Sequence, residues 1–313
     1  MNAPLHDTIR SLRCGEAQTW RDLRLVPLFG PSGSLQLTTL EQDIARGEAR
    51  VTEVSDSGSV PQLKVWNDGD LPILILDSTE LEGGKQNRML NTTVLVPPHT
   101  AIQVPVSCIE RGRWRHKSST FRSRARTSPA SMRAAKSRRV SASLKQSHRY
   151  DACQSAVWDE VDSTLAHAQV LSGTSCLTDA IDESDDQIGD CIEKIPCKDG
   201  QIGVASYIGD TLVGVDVLGA SKVFGDLYRQ VVSGYVMDVV LGTHRRARRS
   251  DGAQTAPLSA LEATLRCPLE EHPSPGLGKG VRISGIDADS GLSVEAAALT
   301  VDEGLVHLAV HPK

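Results

Sequence analysis

Strand-length apolar segments separated by turn residues dominate the first third of the chain. A first strand is expected at Leu25 to Phe29. Ala49 to Val54, Gln62 to Asn67, Leu71 to Asp77, Met89 to Val96 and Ile102 to Ile109 follow it. Between them stand Ser57-Gly58, Asn67-Asp68-Gly69-Asp70, Gly83-Gly84 and Pro97-Pro98. These residues reverse a chain because glycine reaches positive φ and proline fixes φ while removing a donor. This spacing predicts an antiparallel meander folded into a sandwich or barrel. The run Leu71 to Leu76 lacks the alternation of a half-exposed strand and is expected to be covered on both faces. Thr38 with Glu41 fits a capping box and Gly47 a helix stop, which predicts a short helix over Thr39 to Arg46.

Later the period changes. Tyr150 to Leu171 and Ala180 to Ile195 read as helices, and Gln201 to Ile208 with Thr211 to Leu218 as a hairpin joined by Gly209-Asp210. Phe224, Leu227, Tyr228, Val231, Tyr235 and Val239 share one face of a helix opened by Ser221 and closed by Gly242. A short helix near Leu258 to Leu265 precedes strands at Val281 to Ile286, Leu292 to Leu299 and Leu305 to His311. The expected fold class is α+β: an antiparallel β-sandwich or barrel-like N-terminal half with a mixed helix and strand C-terminal half packed on it. Residues 1–24 read as a helix and lead-in, and residues 25–313 as a single domain. The Ser/Arg/Ala-rich segment 117–147 interrupts that domain as a basic insertion, either a surface helix or a mobile loop.

Composition narrows the class. With 39% hydrophobic and 23% charged residues the chain can bury a core. No apolar run approaches the ~20 residues that span a bilayer, and the N-terminus lacks a signal-peptide pattern. Seven cysteines, an odd number with no C-x-x-C, argue against a disulfide framework or zinc ribbon and for reduced thiols in the cytoplasm. The dispersed histidines support no metal site. Gly276-Leu277-Gly278-Lys279-Gly280 has the wrong spacing for a phosphate loop and reads as a loop before a strand, so the sequence leaves the cofactor unknown.

The formal net charge of −5 conceals an asymmetry. Between Arg111 and Arg149 lie 13 lysines and arginines and no acidic residue, and a second basic knot follows at Arg245, Arg246, Arg248 and Arg249. Acidic residues gather at Asp179, Asp182, Glu183, Asp185, Asp186, Asp190 and Glu193. Two readings follow. The basic run either contacts RNA or a protein partner, or it is neutralised by acidic surface elsewhere in the fold.

Candidate chemistry concentrates from Glu80 to Trp114, at strand ends beside tight turns. Lys85, Arg88 and Arg113 suit phosphate, arginine through a bidentate fork. Gln86, Asn87 and Asn91 carry amides that both donate and accept, as sugar hydroxyls and base edges require. Trp114 offers a flat stacking face in a chain with only 4% aromatics. Glu80 and Glu110 are candidate general acid or base, and Cys108 a candidate nucleophile. The competing reading is a structural ion-pair and amide network closing the sheet around Gly83-Gly84. A hairpin from Met89 to Ile109 returning through Pro97-Pro98 would place Arg88 close to Glu110 or Arg113.

Three strings carry a resemblance. They are Leu81-Glu82-Gly83-Gly84-Lys85-Gln86-Asn87-Arg88, the Val94 to Pro98 strand, and Val104-Pro105-Val106-Ser107-Cys108-Ile109-Glu110-Arg111-Gly112-Arg113-Trp114. With Ala156 to Val161 and Val213 to Gly219 they resemble the ADP-ribosylglycohydrolase- and rhodanese-phosphatase-associated protein domain, a poorly characterised prokaryotic family. The resemblance implies a setting of NAD-derived or ADP-ribose-like nucleotides and RNA ends, without supplying a reaction. The functional expectation is binding or processing of a phosphorylated ribose compound, with hydrolysis or transfer at a ribosyl or phosphate centre if catalytic. The alternative is a non-enzymatic binding or assembly module that contacts RNA through 111–149.

Overall fold

Alternation of side chains closes the early β region on itself. In the computed structural model, which describes residues 2–33, 35–55, 58–59, 61–243, 255–302 and 304–312, six strands form a closed barrel. They hydrogen-bond in the order Thr100–Cys108, Gln62–Asn67, Ala49–Glu53, Phe121–Thr127, Thr79–Gly83 and Arg88–Leu90. Because strand side chains alternate, Val51, Leu63, Val65, Leu81, Leu90, Val104, Val106 and Phe121 meet in one buried interior. Ile73–Ile75 pairs with Val94–Val96 and Thr38–Thr39 in a small separate sheet and is buried on both faces, as expected, whereas Leu71 at the start of the expected run is exposed.

The chain divides into two compact units. The barrel belongs to Gln36–Gln187 with Ser274–Leu277, and the other unit comprises Met1–Leu35, Ile188–Pro273 and Gly278–Lys313. The second unit is built on a nine-stranded antiparallel sheet. One side of its core gathers Leu5, Ile9, Val215, Val217, Leu261, Ile283 and Leu308. The helix Ser221–Leu241 packs on Gln201–Ile208 and Thr211–Leu218, burying Phe224, Leu227, Tyr228, Val231 and Tyr235, and Gly242 ends it in the left-handed region at φ 65°. The expectation of one domain over 25–313 leaves this division unmarked. The α+β class with a barrel is as expected.

Several elements differ from the periodicity reading. The capping box forms one residue later than expected, with Thr39 as cap and Gln42 as its partner. Met89 to Val96 splits into Arg88–Leu90 and Val94–Val96, because its two ends serve different sheets. Segment 117–147 is an integral part of the barrel unit. Phe121–Thr127 is a wall strand, and Ala130–Ser147 is a helix burying Met132, Ala135, Val140 and Leu144. That helix also buries Lys136, whose ammonium group bonds the Asp77 carboxylate and the Leu90 carbonyl. The knot at Arg245 to Arg249 lies outside the described residues. No helix among the described residues is long and apolar enough to cross a membrane.

Candidate functional site

The expected hairpin forms. Arg88–Leu90 pairs antiparallel with Thr100–Cys108, setting Arg88 opposite Cys108 and Leu90 opposite Val106. Arg88 is thereby within electrostatic reach of Glu110 and Arg113. Convergence does not give these residues one role.

Arg113 and Glu110 form a clamp. Arg113 Nε and Nη2 donate to the Glu110 carboxylate at 2.9 and 2.6 Å. Its other bonds hold the Gly83, Gly84 and Arg115 carbonyls at 3.2, 2.8 and 3.1 Å and Asn87 Oδ1 at 3.0 Å. Glu110 also accepts the Asn87 amide at 3.1 Å and the Thr174 hydroxyl at 2.9 Å. Burial pushes its carboxyl up, but these donors outweigh it and hold Glu110 below the usual carboxylate range. A carboxylate with every donor fixed in place is a poor proton acceptor. What the clamp does instead is close the Gly83-Gly84 turn. Gly84 has φ 48°, and a Cβ there would overlap the Phe121 ring.

Glu80 faces away from Arg88 and is linked to the clamp through Thr178, which accepts from Asn87 Nδ2 at 2.8 Å and donates to Glu80. Leu81 pairs with Arg88 and points inward, so Glu80, its neighbour in sequence, lies on the outer face of the barrel wall. It is buried there, accepts the Thr178 hydroxyl and faces Arg126 at 3.4 Å, and burial raises its carboxyl above the usual range. It therefore cannot act on a ligand held beside Arg88. Asn91 also serves elsewhere. It bonds the Tyr150 carbonyl and Ser107 hydroxyl, and lines a separate cavity of about 400 Å³ beside Gln154.

Cys108 points into the barrel, fully buried, and burial pushes its thiol up to about 11. It stays protonated at neutral pH, which removes the thiolate that a nucleophile requires. Exposed Cys153 contrasts with it, since bonds from Ser155 and the Ala156 amide pull its thiol down. Iodoacetamide at neutral pH is therefore expected to label Cys153 and to spare Cys108 until the protein unfolds, as read by peptide mass spectrometry. Rapid labelling of Cys108 in the native protein would restore it as a candidate nucleophile.

The remaining group surrounds one end of the barrel interior. Arg88 is 0% exposed. Its Nη1 donates to Gln86 Oε1 at 3.0 Å, while Nε and Nη2 meet no acceptor. Burial disfavours its charged form. Trp114 is 50% exposed, with the Arg88 guanidinium 5.8 Å and the Lys85 ammonium 5.6 Å from its ring centre. Glu53, absent from the sequence-derived set, occupies the same end. It follows Val51 at the next inward position and accepts the Lys85 amide at 3.0 Å, while its other oxygen, Oε2, is buried and has no donor. It also lines a cavity of about 520 Å³ with Ser55, His116, Lys117 and Ser118. The signal for Glu53 was an acid at the last inward position of an alternating strand.

The basic run largely meets acids of its own unit. Lys117, Arg122 and Arg124 reach Glu82 at 2.6, 2.8 and 2.8 Å. Arg124 and Arg126 share Asp182 at 2.7 Å each, and Arg126 reaches Asp185 at 3.1 Å. Part of the acidic stretch thus neutralises part of the basic one. Among the described residues no cluster of histidine, cysteine and carboxylate side chains has the arrangement of a metal site.

A family model for the ARG and Rhodanese-Phosphatase-superfamily-associated Protein domain matches residues 11–311, so the chain belongs to that family. No curated protein and no solved structure matches the chain.

Proposed function

We propose that this member of the family binds a phosphorylated ribose compound, of the NAD- or ADP-ribose-derived class, at the Arg88 end of the barrel. Binding is favoured over catalysis because Glu110 is saturated by donors, Glu80 lies on the other face of the wall, and the Cys108 thiol is held protonated.

One observation carries the reading: Arg88 is buried with two donors unpartnered. A guanidinium in the interior with two of its three nitrogens lacking acceptors is costly, and two oxygens of a phosphate match the open Nε–Nη2 fork. The half-exposed Trp114 face supplies a platform for the base or sugar, with Lys85 beside it. The resemblance carried by the 81–88 and 104–114 strings, to an ADP-ribosylglycohydrolase-associated domain, implies the same ligand class. A contact with RNA or protein through 111–149 has less to draw on, because Lys117, Arg122, Arg124 and Arg126 are engaged with carboxylates.

Differential scanning calorimetry with ADP-ribose, NAD and ribose 5-phosphate tests the proposal. A ligand at 100 times its Kd is expected to stabilise the protein by about 2.7 kcal/mol, raising Tm by several degrees. The absence of any shift with all three compounds would overturn it.

A further inference from the structure

Arg88 and Glu53 bring opposite charges to the same barrel end without pairing. Glu53 accepts the Lys85 amide at 3.0 Å, and the Lys85 ammonium and Arg88 guanidinium lie 5.6 and 5.8 Å from the centre of the same Trp114 ring, which sets both groups at this end. Yet Arg88 Nε and Nη2 have no acceptor and Glu53 Oε2 no donor. The same barrel end thus leaves buried donors and a buried acceptor unpartnered. Either group alone would mark an anion or a cation site. Together they call for a ligand that presents acceptors to one and a donor to the other. A phosphate ester dianion supplies only acceptors and brings negative charge against Glu53. A sugar phosphate supplies both, because its hydroxyls donate.

We propose that Glu53 accepts a hydroxyl of the sugar whose phosphate Arg88 holds, so that the site selects sugar phosphates over phosphate esters lacking hydroxyls. The proposal rests on the anion-binding reading of Arg88. Glu53 is fixed for this role at its other oxygen by the Lys85 amide. The Gly84 backbone packs so closely on it that a Cβ at Gly84 would lie 2.8 Å from Oε1. Its free oxygen is therefore preorganised, so little ordering is required when a hydroxyl arrives.

The test compares ribose 5-phosphate with propyl phosphate, a phosphate monoester without hydroxyls, by isothermal titration at mildly alkaline pH, where both are dianions. The unmodified protein is expected to prefer ribose 5-phosphate by about 10- to 100-fold, the range of a hydrogen bond to a charged acceptor. Glu53→Gln keeps an acceptor for the Lys85 amide and is expected to shrink that preference to about threefold or less. Propyl phosphate should bind the variant as well as, or better than, it binds the unmodified protein, since a repelling charge is gone. A preference near unity in the unmodified protein overturns the inference without recourse to a variant, as does an undiminished preference in Glu53→Gln. Failure of both compounds to bind the unmodified protein instead overturns the anion-binding reading itself.

Discussion

Arg113→Ala is expected to lose about 3–5 kcal/mol of folding stability, the cost of removing one member of a buried ion pair. The change strips Glu110 of both its bonds to Arg113, the shortest among them, and releases the Gly83 and Gly84 carbonyls and Asn87 Oδ1. Urea unfolding reads the loss. Glu110→Ala should cost a comparable amount, and the double variant clearly less than the sum, because both changes remove the same contact. The pH dependence has a definite sign. The folded Glu110 carboxyl is held below its ordinary value. Its contribution is thus present above the unfolded value and is lost as pH falls through the lower folded one. Arg113→Ala should flatten that acid limb. A variant within about 0.5 kcal/mol of the unmodified protein would mean that the clamp does not hold the turn.

How legible the fold was depended on where each segment's polar residues go. Gln62–Asn67, Gln201–Ile208 and Thr211–Leu218 coincide with the periodicity reading, since inward apolar residues and an adjacent turn mark both ends. Thr79–Gly83 and Phe121–Thr127 escaped it. Their outward positions carry Glu80, Glu82, Arg122 and Arg126, buried or paired with one another and with Asp182. Charged residues that satisfy each other across a barrel wall look like loop in a one-dimensional pattern. Only closure of the barrel shows that they are strand.

The site was legible to the same degree. Arg88, Glu110, Arg113 and Cys108 converge because a hairpin returns along its own line. Which face each side chain takes depends on register, and register separated Glu80 from Arg88 and sent Cys108 inward. Glu53 was missed because its partner at the barrel end lies on a strand that does not adjoin its own. Spacing along the chain carries no trace of that proximity.

The proposed role of Arg88, held in the barrel for a ligand and not for the fold, is separated from stability by Arg88→Met. Methionine is unbranched, fills a comparable space and has no donors to satisfy. Without ligand, the variant is expected to be as stable as the unmodified protein or more stable by about 1–3 kcal/mol, because two unpartnered donors leave the interior. In the same preparation, binding of ribose 5-phosphate should be lost. Urea unfolding and isothermal titration on one sample give both readouts. Retained or raised stability with lost binding is the predicted result. A variant that loses several kcal/mol of stability while binding ribose 5-phosphate as tightly as the unmodified protein would make Arg88 a residue of the fold and not of a ligand site.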